Sequence, residues 1–337
     1  WRDVYSFLGG EYELTIAFFG LLPVWQSAAQ VLHKDVLHTG CFLLFVCVYL
    51  NCLRRREKSW RSLLLLFLTA VLMAGTRRTA FYAAVICILV IALRHRRTFL
   101  LPYLAMLGVF IALFWFSGNV LLPRLGISGA PEAENYSLQF QQVALYCRTC
   151  KDEMSIDEIV TVNNTLDYDT IMRDYTPMTS EPVTNAYIDD GTDHAEFWQL
   201  YRKMFRRHPT LFIKAAVMGS FEYFNPWFED ISYHVNISRE DDFLTVDYRS
   251  GLHGTLSRFW VDCLKIPVLR VLIGTGLYAW ILLIAIVYSI RKKSGLAFLG
   301  LVPSIGIMLG LLVSPVNGDI CRGYPLIAAA PLNAAWD

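Results

Sequence analysis

Few acidic residues interrupt the long apolar stretches of this 337-residue chain. A transporter built on carboxylates paired across membrane helices would need more of them, so that class is disfavoured. A charge imbalance is also missing. Lys and Arg number 30 against 29 Asp and Glu, a net charge of +1 that gives nucleic-acid binding no footing. The eight cysteines are too few and too scattered for a disulfide framework. Cys41, Cys47, Cys52 and Cys87 lie in apolar runs, as small buried hydrophobes do. Cys147-Arg148-Thr149-Cys150 is a lone CxxC without the second ligand pair of a structural zinc site. It reads as a local disulfide or as two unpaired thiols on one helical turn. No internal repeat, low-complexity tract or nucleotide-binding glycine loop stands out. The chain opens at Trp1 rather than Met, with no basic n-region of a cleavable signal. It stops at Asp337, about 14 residues into a new apolar run, and is expected to be a fragment truncated at both ends.

What the chain has in excess is hydrophobicity. Apolar residues make up 55% of it, above the roughly 45–50% of soluble domains, and they come in blocks. A helix crossing a hydrocarbon core of about 30 Å needs about 20 such residues. The candidate spans are 12–32, 36–53, 62–76, 79–93, 98–117, 269–290, 296–313 and 323 to the end. The expected fold class is therefore an all-α membrane protein, with about eight transmembrane helices. Three basic clusters orient it: Arg54, Arg55, Arg56, Lys58 and Arg61; then Arg94, Arg96 and Arg97; then Arg291, Lys292 and Lys293. Strict alternation puts all three on one face, the cytoplasmic one by the positive-inside rule. The expected location is a plasma membrane, crossed many times.

The expected organisation is a membrane domain over 1–117, a mostly helical extracytoplasmic domain over 118–268 between spans five and six, and a truncated membrane domain over 269–337. A segment of about 150 residues, soluble in character and without a span, must fold as a domain of its own. Within them, 138–150 reads as helix, and Ser155-Ile156-Asp157-Glu158 opens another in the manner of a capping box. Asp167-Tyr168-Asp169 and Tyr175-Thr176-Pro177 read as turns. From His194 the pattern is amphipathic, with Phe197, Leu200, Tyr201, Met204 and Phe205 on one face and Arg202, Lys203, Arg206 and Arg207 on the other. Pro209 ends it before a semi-apolar run. Such a pair fits either a domain lying on the outer leaflet or an ordinary packed helix with a solvated basic face. Asn135, Asn163 and Asn236 head sequons that matter only in a eukaryotic setting.

Charges on the outer face are the exceptions to the topology. Arg77 and Arg78 join two short spans, each about 22 Å long at about 1.5 Å per residue, so the turn between them would sit in a recess. Two guanidinium groups there call for something anionic or hydrated, and their planar fork suits a lipid phosphate. The bland alternative is a pair that snorkels to ordinary headgroups or meets an acid of the outer domain. Lys34 and Asp35 occupy another outer turn, with His33 beside them. Asp35 could act as general base, orienting group or ligand of a divalent metal ion, or could simply favour the start of its helix. The turn Asn317-Gly318-Asp319-Ile320-Cys321-Arg322 supplies a third outer cation, with an acid close by.

Leu22-Pro23, Lys34-Asp35-Val36-Leu37, Gly75-Thr76-Arg77-Arg78, Ser137 through Gln142, and Ser314 through Leu326 resemble a family of bacterial multi-pass membrane proteins known only as a domain of unknown function. That family is similar to the GT-C-type glycosyltransferases. The resemblance implies a polyprenyl-phosphate-linked sugar as donor and a cell-envelope glycan or lipid as acceptor, with membrane lipids around the site. It implies Asp35, the candidate catalytic residue, as the second acid of such a site, and Arg77, Arg78 and Arg322 as binders of the lipid phosphate; Lys34, Asn317 and Asp319, in the same outer turns, are the further candidate substrate-binding residues. A first-loop acid would lie upstream of Trp1.

Overall fold

Every apolar run of the sequence forms helix in the computed structural model, which describes residues 12–30, 33–54, 59–97, 99–127, 132–189, 194–228, 250–313, 317 and 319–336. Arg55, Arg56, Lys58, Asn236, 314–316 and Gly318, singled out above, lie outside the described residues. In order the first helices are α1 (Tyr12–Leu21), α2 (Pro23–Gln30), α3 (Lys34–Arg54), α4 (Trp60–Thr76), α5 (Arg78–Arg94) and α6 (Leu100–Phe116). There follow α7 (Ser137–Thr149), α8 (Ile156–Asn163), α9 (Tyr168–Asp174), α10 (Glu181–Asn185), α11 (Ala195–Arg207) and α12 (Pro209–Gly219). The last group is α13 (Ser250–Lys265), α14 (Pro267–Ile273), α15 (Thr275–Arg291), α16 (Gly295–Gly300), α17 (Val302–Val313) and α18 (Ile320–Ala335). No strand forms among the described residues, so the all-α class holds.

The expected number of spans does not. Lys34–Arg54 and Leu100–Arg124 are long and apolar enough to cross a membrane. The pair α14 and α15 adds a third if taken as one span, but it bends by 62° at Gly274. Two causes separate three from eight. Pro23 starts a new helix and splits the first run, and Pro303 sits in the opening turn of α17, splitting α16 from it. The helices α4 and α5 have 17 residues each, about 26 Å at about 1.5 Å per residue, longer than the sequence suggested but short of a 30 Å core.

The chain divides into two compact units, one of 1–116, 223–310 and 319–337, the other of 117–222 and 311–318. The boundaries drawn from sequence at 117/118 and 268/269 mark changes of hydropathy, whereas these units group residues in contact.

In the first unit, α3, α4 and α5 run back and forth around a core that includes Phe42, Phe45, Tyr49, Leu66, Met73 and Ile88. Their outer faces leave Leu64, Leu68, Leu72, Ile86 and Leu93 exposed, an apolar surface that a lipid phase would cover. Contacts fix which helix ends lie together. At one end His95, capping α5, bonds the Cys52 carbonyl near the end of α3 at 3.1 Å. Tyr49 donates to the Leu299 carbonyl at 2.7 Å, and the Arg54 guanidinium lies 4.9 Å from the centre of the Trp336 ring. Arg94, Arg96 and Arg97 follow α5 at this end. Gly306 and Gly310, one turn apart on α17, face Ala83 and Thr79 of α5, and a Cβ on Gly306 would come 2.7 Å from that of Ala83. Small residues at this spacing let two backbones approach, as in membrane helix pairs.

The second unit is built on α7, whose Phe140, Val143, Tyr146 and Cys147 meet Phe197 and Met204 of α11 and Phe212 of α12. The apolar face of α11 packs inward and its basic face points away from the core. Phe197, Leu200 and Met204 are buried, Phe205 is exposed, and the basic face lines an open groove with Gln199, Arg202, Lys203, Arg206 and Arg207. The expected capping box forms: Ser155 Oγ accepts from the Glu158 N–H at 3.3 Å, and Glu158 Oε2 accepts from the Ser155 N–H at 3.2 Å. Lys203 and Arg207 then bind Glu158 at 2.8 and 3.0 Å. Burial works against its ionisation, but these two cations and the Ser155 N–H outweigh burial and hold the carboxyl at about 2. The turn expected at Asp167 is instead the start of α9, where Asp167 Oδ1 accepts from the Thr170 N–H at 3.1 Å. Both cysteines of the CxxC are free and buried, as unpaired thiols, and burial pushes the Cys147 thiol up to about 12.

Candidate functional site

The end of the first unit opposite His95 gathers most of the residues singled out from sequence. Asp35 lies in the first turn of α3, where an acid suits the helix dipole. Its carbonyl accepts from Thr39 Oγ1 at 2.7 Å, and only 3% of the residue is exposed. A carboxylate so buried needs a partner, and Arg77 supplies one: its Nη1 is 3.5 Å from Asp35 Oδ1. That contact is an ion pair without a hydrogen bond, since Oδ1 has no hydrogen-bond partner. His33 Nδ1 is 3.8 Å from Oδ2, but it also faces the Asp35 backbone N–H at 3.3 Å. Arg77, a permanent cation, is thus the counter-charge in contact with the acid.

Arg77 is placed by its backbone. It alone joins α4 to α5, in an extended conformation at φ −154° and ψ 125°, and its side chain is 20% exposed. Arg78, the next residue, is exposed, as is Lys34. The two adjacent arginines therefore differ in kind. One is locked onto Asp35, while the other opens onto the surroundings.

His38 and Thr76 complete the cluster. The Thr76 hydroxyl lies 2.8 Å from the Met73 carbonyl and 2.8 Å from His38 Nδ1. The His38 Nε2 is buried and without a hydrogen-bond partner. His38 stands one turn beyond Asp35 on α3 and is fully buried. From α18, Cys321 and Tyr324 lie within electrostatic reach of Asp35. The Tyr324 ring sits 6.1 Å from that of Trp25, whose Nε1 is buried and also lacks a partner. Several polar atoms with unfilled hydrogen-bonding capacity thus line one end of the helices, the arrangement expected of a site that meets a polar ligand.

The remaining expected residues divide. Asp319 caps α18 by accepting from the Cys321 N–H at 3.1 Å, and Arg322 Nε bonds the other Asp319 oxygen at 3.1 Å. This cation is therefore already partnered within its own turn. Asn317 belongs to the second unit, where its amide holds the Met218 carbonyl at 2.6 Å and the Glu222 N–H at 3.1 Å. That is a structural duty. A divalent ion does not fit at Asp35, because the Arg77 guanidinium stands where the ion would. Among the described residues, no three His, Cys, Asp or Glu ligand atoms come together around it.

His38, Thr76, Trp25 and Tyr324 escaped the sequence reading. One signal was there: a histidine three residues after an acid shares its helical face. Comparison with curated proteins and with solved structures finds no match for this chain. A family profile matches residues 12–336, and the chain belongs to that family, DUF6020, a family of unknown function.

Proposed function

We propose that this protein is a membrane glycosyltransferase that moves a sugar from a polyprenyl-phosphate carrier to a cell-envelope acceptor. The reaction would take place on the outer face of a bacterial plasma membrane. The observation that carries the reading is the buried Asp35–Arg77 pair, with an unpartnered His38 Nε2 beside it and exposed Arg78 next in the chain. The two-ended first unit supports the sidedness. Basic residues collect at the His95 end, which the positive-inside rule makes cytoplasmic, and the Asp35 end then faces outward.

The chemistry asks little of the protein beyond charge and placement. The acceptor hydroxyl oxygen bonds to the anomeric carbon as the bond from that carbon to the phosphate oxygen breaks. The electron pair leaves with the polyprenyl phosphate, and Arg78 stabilises the charge that develops there. The hydroxyl proton passes to Asp35, or to His38 Nε2 one turn further along. Arg77, in ion-pair contact with Asp35, holds the carboxyl group in place for the transfer. Lys34 and Arg322 flank the lipid headgroup, and residues 118–268 form an extracytoplasmic domain. The additional apolar helices, up to eight in all, complete the membrane region by packing against the long ones despite their shortness.

A second reading has a specific observation behind it. A buried acid–arginine pair in the same unit as a helix pair bent at Gly274 is also the pattern of a transporter or flippase of an anionic lipid or solute. Proteoliposomes loaded with a radiolabelled polyprenyl-phosphate sugar separate the two. Label appearing on a hydroxyl acceptor supports transfer, and Asp35→Asn is expected to lower that rate by about 100-fold or more. Full activity in an Asp35→Asn, Arg78→Ala double variant would sink the site. Label that crosses the bilayer with its sugar still attached would favour transport.

A further inference from the structure

The second unit holds a cluster unrelated to the Asp35 end. Cys150, Glu153 and His208 bring one ligand atom each to within 4.8 Å of one another. Three different devices hold them in place. Cys150 caps α7, its N–H bonded to the Tyr146 carbonyl at 2.8 Å, and is part of the buried core. A single 3-10 turn, Lys151–Glu153, brings Glu153 back over it, with the Glu153 N–H on the Cys150 carbonyl at 3.0 Å. His208 is the one residue between α11 and α12, and its N–H bonds the Met204 carbonyl at 3.1 Å. The His208 ring lies 5.8 Å from that of Tyr146, and its Nε2 is 2.8 Å from Glu153 Oε2.

We propose that Cys150, Glu153 and His208 form a divalent transition-metal site, best suited to zinc, with a fourth position open to solvent. Zinc with bonds of about 2.0–2.3 Å in a tetrahedron spaces its ligands about 3.3–3.8 Å apart, so closing the site takes only small movements. The donor set selects the metal: a thiolate excludes magnesium and calcium, which prefer all-oxygen shells, and imidazole with thiolate favours zinc. Charge balances as well. Binding releases the thiol proton to water, and thiolate plus carboxylate then neutralise the ion while the imidazole binds neutral. The adjacent Arg207 does not oppose this, since it is held on Glu158 at 3.0 Å. Access is open on one side, with the Glu153 and His208 side chains 56% and 35% exposed, whereas the Cys150 side is closed by the core. Cys147 is fully buried one turn earlier and is not a ligand, so the CxxC spacing is incidental. An ion here would tie the end of α7 to the junction of α11 and α12.

The test uses the full chain in detergent, titrated with cobalt(II) as a spectroscopic probe and then with zinc. A thiolate-to-cobalt charge-transfer band that zinc displaces is expected, saturating at one ion per chain. The band should vanish in Cys150→Ser and persist in Cys147→Ser. Affinity should fall at least about tenfold in Glu153→Gln and in His208→Gln, ligand loss costing no less than loss of an outer partner. Alkylation of the individual cysteines, read by mass spectrometry, gives a second measure that does not depend on the variants folding. Zinc should protect Cys150 in the wild-type chain. No band, a band that survives Cys150→Ser, or equal alkylation of Cys150 with and without zinc would overturn the proposal.

Discussion

Asp35 admits two readings from sequence, an acid that favours the start of a helix and an acid that serves as general base, orienting group or metal ligand. The structure shows the first, together with an ion pair to Arg77. Asp35 lies in the first turn of α3, and its side chain, 4% exposed, faces Arg77 across a helix junction. Removing only the cation should leave a buried carboxylate without compensation, a loss of about 3 kcal/mol for a pair of this burial. Thermal unfolding of the full chain in detergent should therefore show Arg77→Met strongly destabilised, and Asp35→Asn combined with Arg77→Met recovering most of the loss. A double variant no more stable than Arg77→Met would mean that the pair does not hold the junction. Arg77 was legible from sequence because a cation stood on the disfavoured side of an alternating pattern. His38 was not, since its partner Thr76 lies 38 residues away and an isolated histidine in an apolar run is as easily a core residue.

At the scale of helices, local chemistry was readable wherever a signal was self-contained. The Ser155–Glu158 box, the amphipathic face of α11 and the break at Pro209 needed only neighbouring residues, and each formed. Asp167 was misread because an acid opening a turn and an acid capping a helix share the same first residues. The capping box has an additional tertiary role, since Lys203 and Arg207 reach it from α11. Here the sign of a pH effect follows. Glu158 sits at about 2 in the folded chain against an ordinary 4.5, so its contribution is complete above about pH 4.5 and disappears as pH falls towards 2. With its partners partly exposed and screened, that contribution is about 2 kcal/mol. Glu158→Gln should lower the melting temperature at pH 7, and the gap between variant and wild type should narrow below about pH 4.5 and close as pH approaches 2. A gap that stays constant over that range would assign the effect to packing instead of charge.

For the whole molecule, hydropathy located the helices better than it counted the spans. Each apolar run became a helix or a broken pair, but among the described residues proline and glycine breaks and 17-residue lengths leave two that can cross a membrane by themselves, or three with the bent pair α14–α15. What survives is the pairing of ends. Asp35 with Arg77 and His38 with Thr76 tie one end of α3, α4 and α5, while His95 with Cys52 ties the other. In a membrane this geometry has a definite consequence. Lys34, exposed beside Asp35, and Arg96, exposed just beyond α5, must lie on opposite sides if α3 and α5 cross. Single cysteines introduced as Lys34→Cys and Arg96→Cys, with all eight native cysteines replaced by alanine, report this directly. A membrane-impermeant maleimide applied to intact cells should label the first and spare the second, and permeabilised cells should label both. Labelling of both positions in intact cells, or of neither, would remove α3 and α5 from the membrane. The outward-facing lipid-phosphate site would go with them, because it depends on the Asp35 end alone facing the carrier.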